Sequence, residues 1–164
     1  MLNINKLMKG SEIRVFQKND DSYVCINGYA LYRQELLPDT KCIVEPTGAL
    51  FELLHEHSFI EAARFPHTFG VDKKIISLYA GQSNDGSIIV KVFDASYTNP
   101  FSEQTSVYLG GSNTNNPVYA IDDESIEAIV MPLRINWDNP LYSFLKKSAE
   151  VWYTKGEDAL NSLF

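Results

Sequence analysis

His55, His57 and His67, the three histidines of the sequence, lie close together with Glu56 and Glu61 among them. A zinc or related site needs three or four such groups converging on one point. Residues two apart on a helix point in different directions, so a helix through this stretch cannot aim His55 and His57 at one ion. The expectation is no metal and no cofactor. Serine, histidine and aspartate are all present, but there is no Gly-x-Ser-x-Gly elbow. Neither Gly-x-Gly-x-x-Gly nor a phosphate-loop lysine motif occurs. "YLGGSNTNN" carries two glycines with no helix directly after them, so it reads as a solvated loop rather than a phosphate cradle. Cys25 and Cys42 match no zinc spacing; one disulfide could join them, but two cysteines in a chain of this length read rather as buried thiols of a reducing cytosol. The residue types therefore predict no enzyme.

Charge points toward partners. Lys and Arg number 14 against 21 Asp and Glu, a net charge of −7. Such a chain repels phosphate on average, which disfavours direct nucleic-acid binding. Asp20-Asp21, Asp122-Asp123-Glu124 and Glu157-Asp158 read as solvated turns, or as an acidic face for a basic partner. Tyr23, Tyr29, Tyr32, Phe93 and Tyr97 sit on or near strands with only Arg33 and Lys91 close by, a pattern of packing rather than base stacking. The opening residues, "MLNINKLMKGSEIRVF", lack a leader pattern, and no apolar run approaches eighteen residues. A soluble, cytoplasmic protein without a membrane span is expected.

The elements that must position these residues follow from periodicity and turn chemistry. "SEIRVFQ" alternates as a half-buried strand. Asn27-Gly28, between two apolar runs, predicts a hairpin. "KCIVEP" is a short strand. "TGALFELLHEHSFIEAARF" has helical spacing, with Thr47 as N-cap and Pro66 as stop. "KIISLYA" and "SIIVKVFDA" form a second hairpin around Asn84-Asp85-Gly86. Gly110-Gly111 and the asparagines after them predict a flexible connection before Pro117. A strand at about 127–135 should pair with one near 117–121, with Pro132 at an edge or bulge. The last helix starts at Asn139-Pro140, presents Leu141, Phe144, Leu145 and Trp152 on its apolar face, and sets Lys146 and Lys147 opposite. The sum is one α+β domain over 1–164: a mainly antiparallel sheet, two principal helices, and a helical extension over 136–164.

"NPVYAIDDESIEAIVMPLRI", Asn116 to Ile135, resembles the end of the last domain of the bacterial replication sliding clamp, the beta subunit of the replicative polymerase. That family closes with an apolar strand, an acidic turn and a strand ending Val-Met-Pro-Met-Arg-Leu. Val130-Met131-Pro132-Leu133-Arg134-Ile135 is similar to that ending, and "DGSIIVKVFDAS" is loosely similar to another clamp strand. The resemblance implies a clamp-like fold and a protein or peptide partner. It implies that Ile129, Met131, Pro132, Leu133 and Arg134 line a peptide-capturing groove. Methionine suits such a groove because it adapts to varied apolar shapes. The final "ALNSLF" resembles clamp-binding peptides, so Leu163 and Phe164 either dock on their own domain or reach a groove on another copy or a host clamp. The chain is shorter than a three-domain clamp and continues past the matched strand. Glu52, Glu56 and Glu61 stand where clamp helices facing DNA are basic. The reading is thus a single clamp-like module of phage or mobile-element origin.

Three functions follow in order. The first is a non-catalytic interaction module. The second is a small acidic inhibitor or decoy for a basic host protein, with salt-dependent binding. The third is an enzyme with a non-standard site, which needs a deep pocket of convergent polar groups.

Overall fold

The computed structural model of the chain describes residues 13–18, 21–33, 43–44 and 49–162. Asp20, Cys42, Thr47, Leu163 and Phe164 lie outside the described residues. In chain order the strands are β1 (Ile13–Lys18), β2 (Asp21–Ile26), β3 (Ala30–Arg33), β4 (Ile43–Val44), β5 (Phe59–Arg64) and β6 (Phe69–Val71). After them come β7 (Lys74–Gln82), β8 (Ile88–Asp94), β9 (Val107–Gly110), β10 (Val118–Asp122) and β11 (Ser125–Val130). Helices α1 (Ala49–Glu52) and α2 (Ala95–Thr98) are single turns, and α3 (Pro140–Lys155) is long. Leu53–His55 and Glu157–Ser162 form 3-10 turns.

The sheet is mainly antiparallel, in the order β4-β1-β2-β3-β11-β10-β9-β5-β7-β6, with β8 on the other edge of β7. Only β1 and β4 run parallel among the described strands. The architecture is α+β, and the sheet curls. Its hairpins sit where turn chemistry places them. Asn27 and Gly28 take φ of 53° and 73°, and the Tyr29 amide donates to the Ile26 carbonyl at 3.0 Å. The β7–β8 hairpin turns at Gly86, with φ of 89°. Asp123 and Glu124 hold positive φ in the β10–β11 turn.

The concave face gathers Val24, Ile26, Tyr32, Tyr79, Phe93, Leu109, Val118 and Val130 into one core. Helix α2 plugs it: the Tyr32 hydroxyl donates to the Tyr97 carbonyl, and the Ser77 and Thr98 hydroxyls bond at 3.0 Å. On the convex face α3 covers β7 and β8, packing Leu145 and Ala149 on Leu78, Val90 and Val92, with Leu160 beside them. A second convex cluster sets Phe51 and Leu53 on Tyr23, Leu31, Tyr119 and Ile129. Burying each such Leu or Phe contributes about 1.5–3 kcal/mol. Among the described residues, no helix is long and apolar enough to cross a membrane.

Four expectations need correction. The helix expected from Thr47 up to Pro66 is, from residue 49 on, one turn of α1 and a 3-10 turn, followed by β5. Glu56 takes an extended ψ of 134° and its carboxylate accepts from the His57 and Ser58 amides, ending the helix. Residues 59–64 then gain two strand neighbours, which outweighs local helical propensity. Of the two principal helices expected, α3 alone is present among the described residues. Its N-terminus is as expected, since the Asn139 side chain accepts from the Leu141 amide and Pro140 opens the helix. Its buried side is as expected at Leu145 and Trp152, which pack on β7 and β8 with Ala149, but Leu141 and Phe144 are exposed.

The strand expected at about 127–135 ends at Val130 and is interior, flanked by β3 and β10. Its pairing with β10 is as expected. The loop after Gly110-Gly111 is pinned rather than free: Glu56 accepts from the Ser112 hydroxyl and amide, and the Gly111 amide donates to the Ser58 carbonyl at 2.6 Å. Gly111 is required there, since a Cβ would lie 2.6 Å from Ser58 Oγ.

Candidate functional site

Strand β5 serves two neighbours in succession. Residues 59–61 pair with β9 on one edge, and residues 62–64 pair with β7 on the other. Gly81 makes the handover possible: a Cβ there would lie 2.9 Å from the Glu61 carbonyl oxygen and 3.0 Å from Ile60 Cγ2. The β5–β9 ladder stops at Glu61↔Tyr108, because the chain before β9 turns away. Ser106 gives its carbonyl to the Ile121 amide at 3.1 Å, and the Thr105 amide folds back to Ser102 at 3.1 Å.

A seam therefore opens between the second half of β5 and residues 101–107. The Phe65 amide donates to the Leu78 carbonyl, toward β7. Antiparallel ladders alternate bonded directions, so the Arg64 N–H and C=O point the other way, into the seam. No strand pairs with Arg64 on that side among the described residues.

The seam is a cleft of about 450 Å3, lined on its β5 side by Glu61, Ala62, Ala63 and Arg64. Ser102, Glu103, Thr105, Ser106 and Tyr108 form the opposite wall, and Trp152 and Glu157 the end. Ala62 and Ala63 leave the space. Trp152 is braced edge-on against Phe65, with ring centroids 5.4 Å apart. Glu61, Arg64, Glu103 and Glu157 are exposed, so the rim is acidic around one guanidinium.

Tyr79 lines the cleft from its inner end. It pairs directly across the strand boundary with Arg64, so both side chains leave the concave face. Tyr79 is 0% exposed, and its hydroxyl has no hydrogen-bond partner among the described residues. Burial pushes its pKa up to about 12, although Arg64 and Thr98 lie close enough to oppose that rise. Neither meets the phenol oxygen with hydrogen-bond geometry. Arg64 Nη1 makes only a long bond, 3.4 Å, to the Phe101 carbonyl. Two neighbouring donors, the exposed Arg64 guanidinium and the buried Tyr79 hydroxyl, thus lack a good acceptor among the described residues. A buried hydroxyl left so costs about 1–3 kcal/mol.

The residues singled out from the sequence fall elsewhere. Ile129 is 0% exposed in the convex cluster beneath Phe51 and Leu53, so it cannot line a surface groove. Met131, Pro132 and Leu133 are half-buried and Arg134 is exposed. The Met131 amide donates to the Tyr29 carbonyl and the Leu133 amide to the Val92 carbonyl, each at 2.8 Å. This segment laces the Tyr29 turn to β8, and Pro132 sits between the two bonds where no donor is needed. Leu163 and Phe164 lie outside the described residues. His55 ends the 3-10 turn, His57 follows it, and His67 lies edge-on to Phe65. The divergence argued from one helix does not apply to them. Among the described residues, no three His, Cys, Asp or Glu side chains converge on a possible metal position.

Sequence reasoning missed the seam. Its one local signal is "EAAR", two small residues between two charges. Comparison with family models, with curated proteins and with solved structures finds no match.

Proposed function

We propose that the protein is a non-catalytic interaction module whose seam receives an extended, basic segment of a partner protein. The observation that carries this reading is the half-paired strand: β5 loses β9 at Glu61 and leaves the Arg64 backbone facing a cleft. An added strand gains main-chain hydrogen bonds from such an edge and specificity from alternate side chains. Glu61, Glu103 and Glu157 around the cleft favour Lys or Arg on the incoming segment. The likeness of residues 130–135 to a clamp strand suggests the same class of work, protein capture, but the seam carries the proposal.

The test is panning of a random dodecapeptide display library, with the enriched peptides titrated into isotope-labelled protein. The expected result is enrichment of basic sequences that shift the amides of residues 62–64 and 105–106. Their binding should weaken at high salt and be lost in the Glu61→Lys/Glu157→Lys variant. Enriched peptides that shift only other amides would overturn the reading. So would concentration-dependent self-association of the protein that shifts the same amides, because a second copy would then be the occupant.

A further inference from the structure

The cleft has two electrostatic layers. Its rim carries Glu61, Glu103 and Glu157 around the exposed Arg64 guanidinium, and beneath Arg64 lies the buried Tyr79 hydroxyl. A cation suits the rim and an anionic acceptor suits the interior. Strand geometry says how one segment supplies both.

Ile60 and Ala62 pack on the concave core, and Arg64 shares their face by register with Tyr79. Glu61 and Ala63 therefore occupy the convex face, the side on which Phe65 and Trp152 pack. A strand laid beside β5 alternates in the same way. One of its side chains points to Tyr79 and Arg64. The residues before and after it point to the convex side, where Glu61 stands and Glu157 follows α3.

We infer, resting on the reading of the seam as a strand receptor, that the occupant carries a basic–acidic–basic triplet, its central carboxylate seated between the Tyr79 hydroxyl and Arg64. A carboxylate accepts from both donors at once, and charge-assisted bonds of this kind are about twice as strong as neutral ones. It gives the buried phenol the partner it lacks. The flanking Lys or Arg residues offset the acidic rim, which would repel a free anion. A purely basic segment satisfies the rim and leaves Tyr79 unpartnered. A purely acidic one meets Glu61 and Glu157.

The test uses three capped, fluorescein-labelled peptides: Thr-Val-Lys-Glu-Lys-Val-Thr, the same with Gln at the centre, and Thr-Val-Glu-Lys-Glu-Val-Thr. Anisotropy is measured with wild type, Tyr79→Phe, Arg64→Gln and Glu61→Gln/Glu157→Gln. Tyr79→Phe keeps the ring and the fold, and Arg64 is exposed, so loss of structure does not confuse the result. The Glu-centred peptide should bind wild type about tenfold or more tightly than the Gln-centred one. The difference between the Glu- and Gln-centred peptides should vanish in Tyr79→Phe and Arg64→Gln. Glu61→Gln/Glu157→Gln should weaken both basic peptides. Equal binding of the Glu- and Gln-centred peptides, with shifts still confined to the seam, would overturn the triplet and leave the strand receptor standing. Tightest binding by the Glu-Lys-Glu peptide would overturn the triplet as well. Shifts outside the seam with all three peptides would overturn both. Displacement of the Glu-centred peptide by an equal concentration of free glutamate would make this an amino-acid site and reject the triplet.

Discussion

The curled sheet reaches two gaps and treats them differently. Between the Tyr29 turn and β8, residues 131–133 lie across the gap and donate an amide to each side. Between β5 and β9 the ladder begins at Phe59↔Gly110, stops at Glu61↔Tyr108, and nothing in the described chain takes its place. The first gap is filled by a segment whose proline stands where no donor is wanted. The second is left with small side chains, a charged rim and an exposed stretch of edge. A protein that closes one edge with irregular chain has the means to close another. An edge left open invites pairing, and an acidic rim restricts which chains can use it.

The largest expected effect lies at the wall that holds the seam open. Phe65 is 1% exposed and packs on Phe69 and Trp152 directly after β5. Phe65→Ala should cost about 3–5 kcal/mol, measured by chemical denaturation, because it leaves a cavity beneath the cleft. A loss below 1 kcal/mol would mean that this wall is not rigid. The closed half of β5 should be less sensitive. Gly111→Ala brings a Cβ against Ser58 Oγ and the Ser58 carbonyl, an overpacking worth about 1–3 kcal/mol. An unchanged melting temperature would contradict the pinned loop.

A pair of tyrosines sharpens the comparison at smaller magnitude. The Tyr119 hydroxyl donates to the Leu53 carbonyl at 2.7 Å, whereas the buried Tyr79 hydroxyl, in the seam, has no partner among the described residues. Tyr119→Phe should lose about 0.5–1.5 kcal/mol, and Tyr79→Phe should lose nothing or gain stability. Equal losses would show that Tyr79 is satisfied without a ligand.

The smallest effect is pH-dependent and belongs to the closed half. Burial pushes the Glu56 pKa up, but hydrogen bonds from Ser112, Ser58 and His57 outweigh it and leave the carboxyl below its ordinary value of 4.5. A lowered folded-state pKa gives stability that is fully present above the unfolded value and lost as pH falls through the folded one. Wild type should therefore lose more stability than Glu56→Gln between about pH 5 and pH 3. Parallel stability curves would remove Glu56 from the account.

The sequence carried what is local and lost what depends on distant register. Asn27-Gly28, Gly86 and Asn139-Pro140 act through their own backbone geometry, so the hairpins and the start of α3 were legible. The β10–β11 pair was legible because an acidic turn separates two apolar runs. The stretch from Thr47 to Phe65 misled because its apolar spacing suits a helix, while β9 and β7, far away in the chain, recruit its second half as a strand. The Met-Pro segment was read as an edge because proline excludes a ladder donor. That physics holds, but the segment lies just past a strand that is itself interior. Which side of α3 is buried depended on where β7 and β8 lie, and its own pattern offered Leu141 and Phe144 equally well. The seam arises from where a ladder stops, and no short motif encodes that.

The most direct measurement is hydrogen exchange at two adjacent amides. The Phe65 amide donates to the Leu78 carbonyl at 2.8 Å, and that of Arg64 points into the seam. Native-state exchange, resolved residue by residue, should show Phe65 protected and Arg64 exchanging far faster. Arg64 should become protected when a basic peptide binds. An Arg64 amide as slow as Phe65 in the isolated protein would mean that the seam is already closed, and would contradict the account.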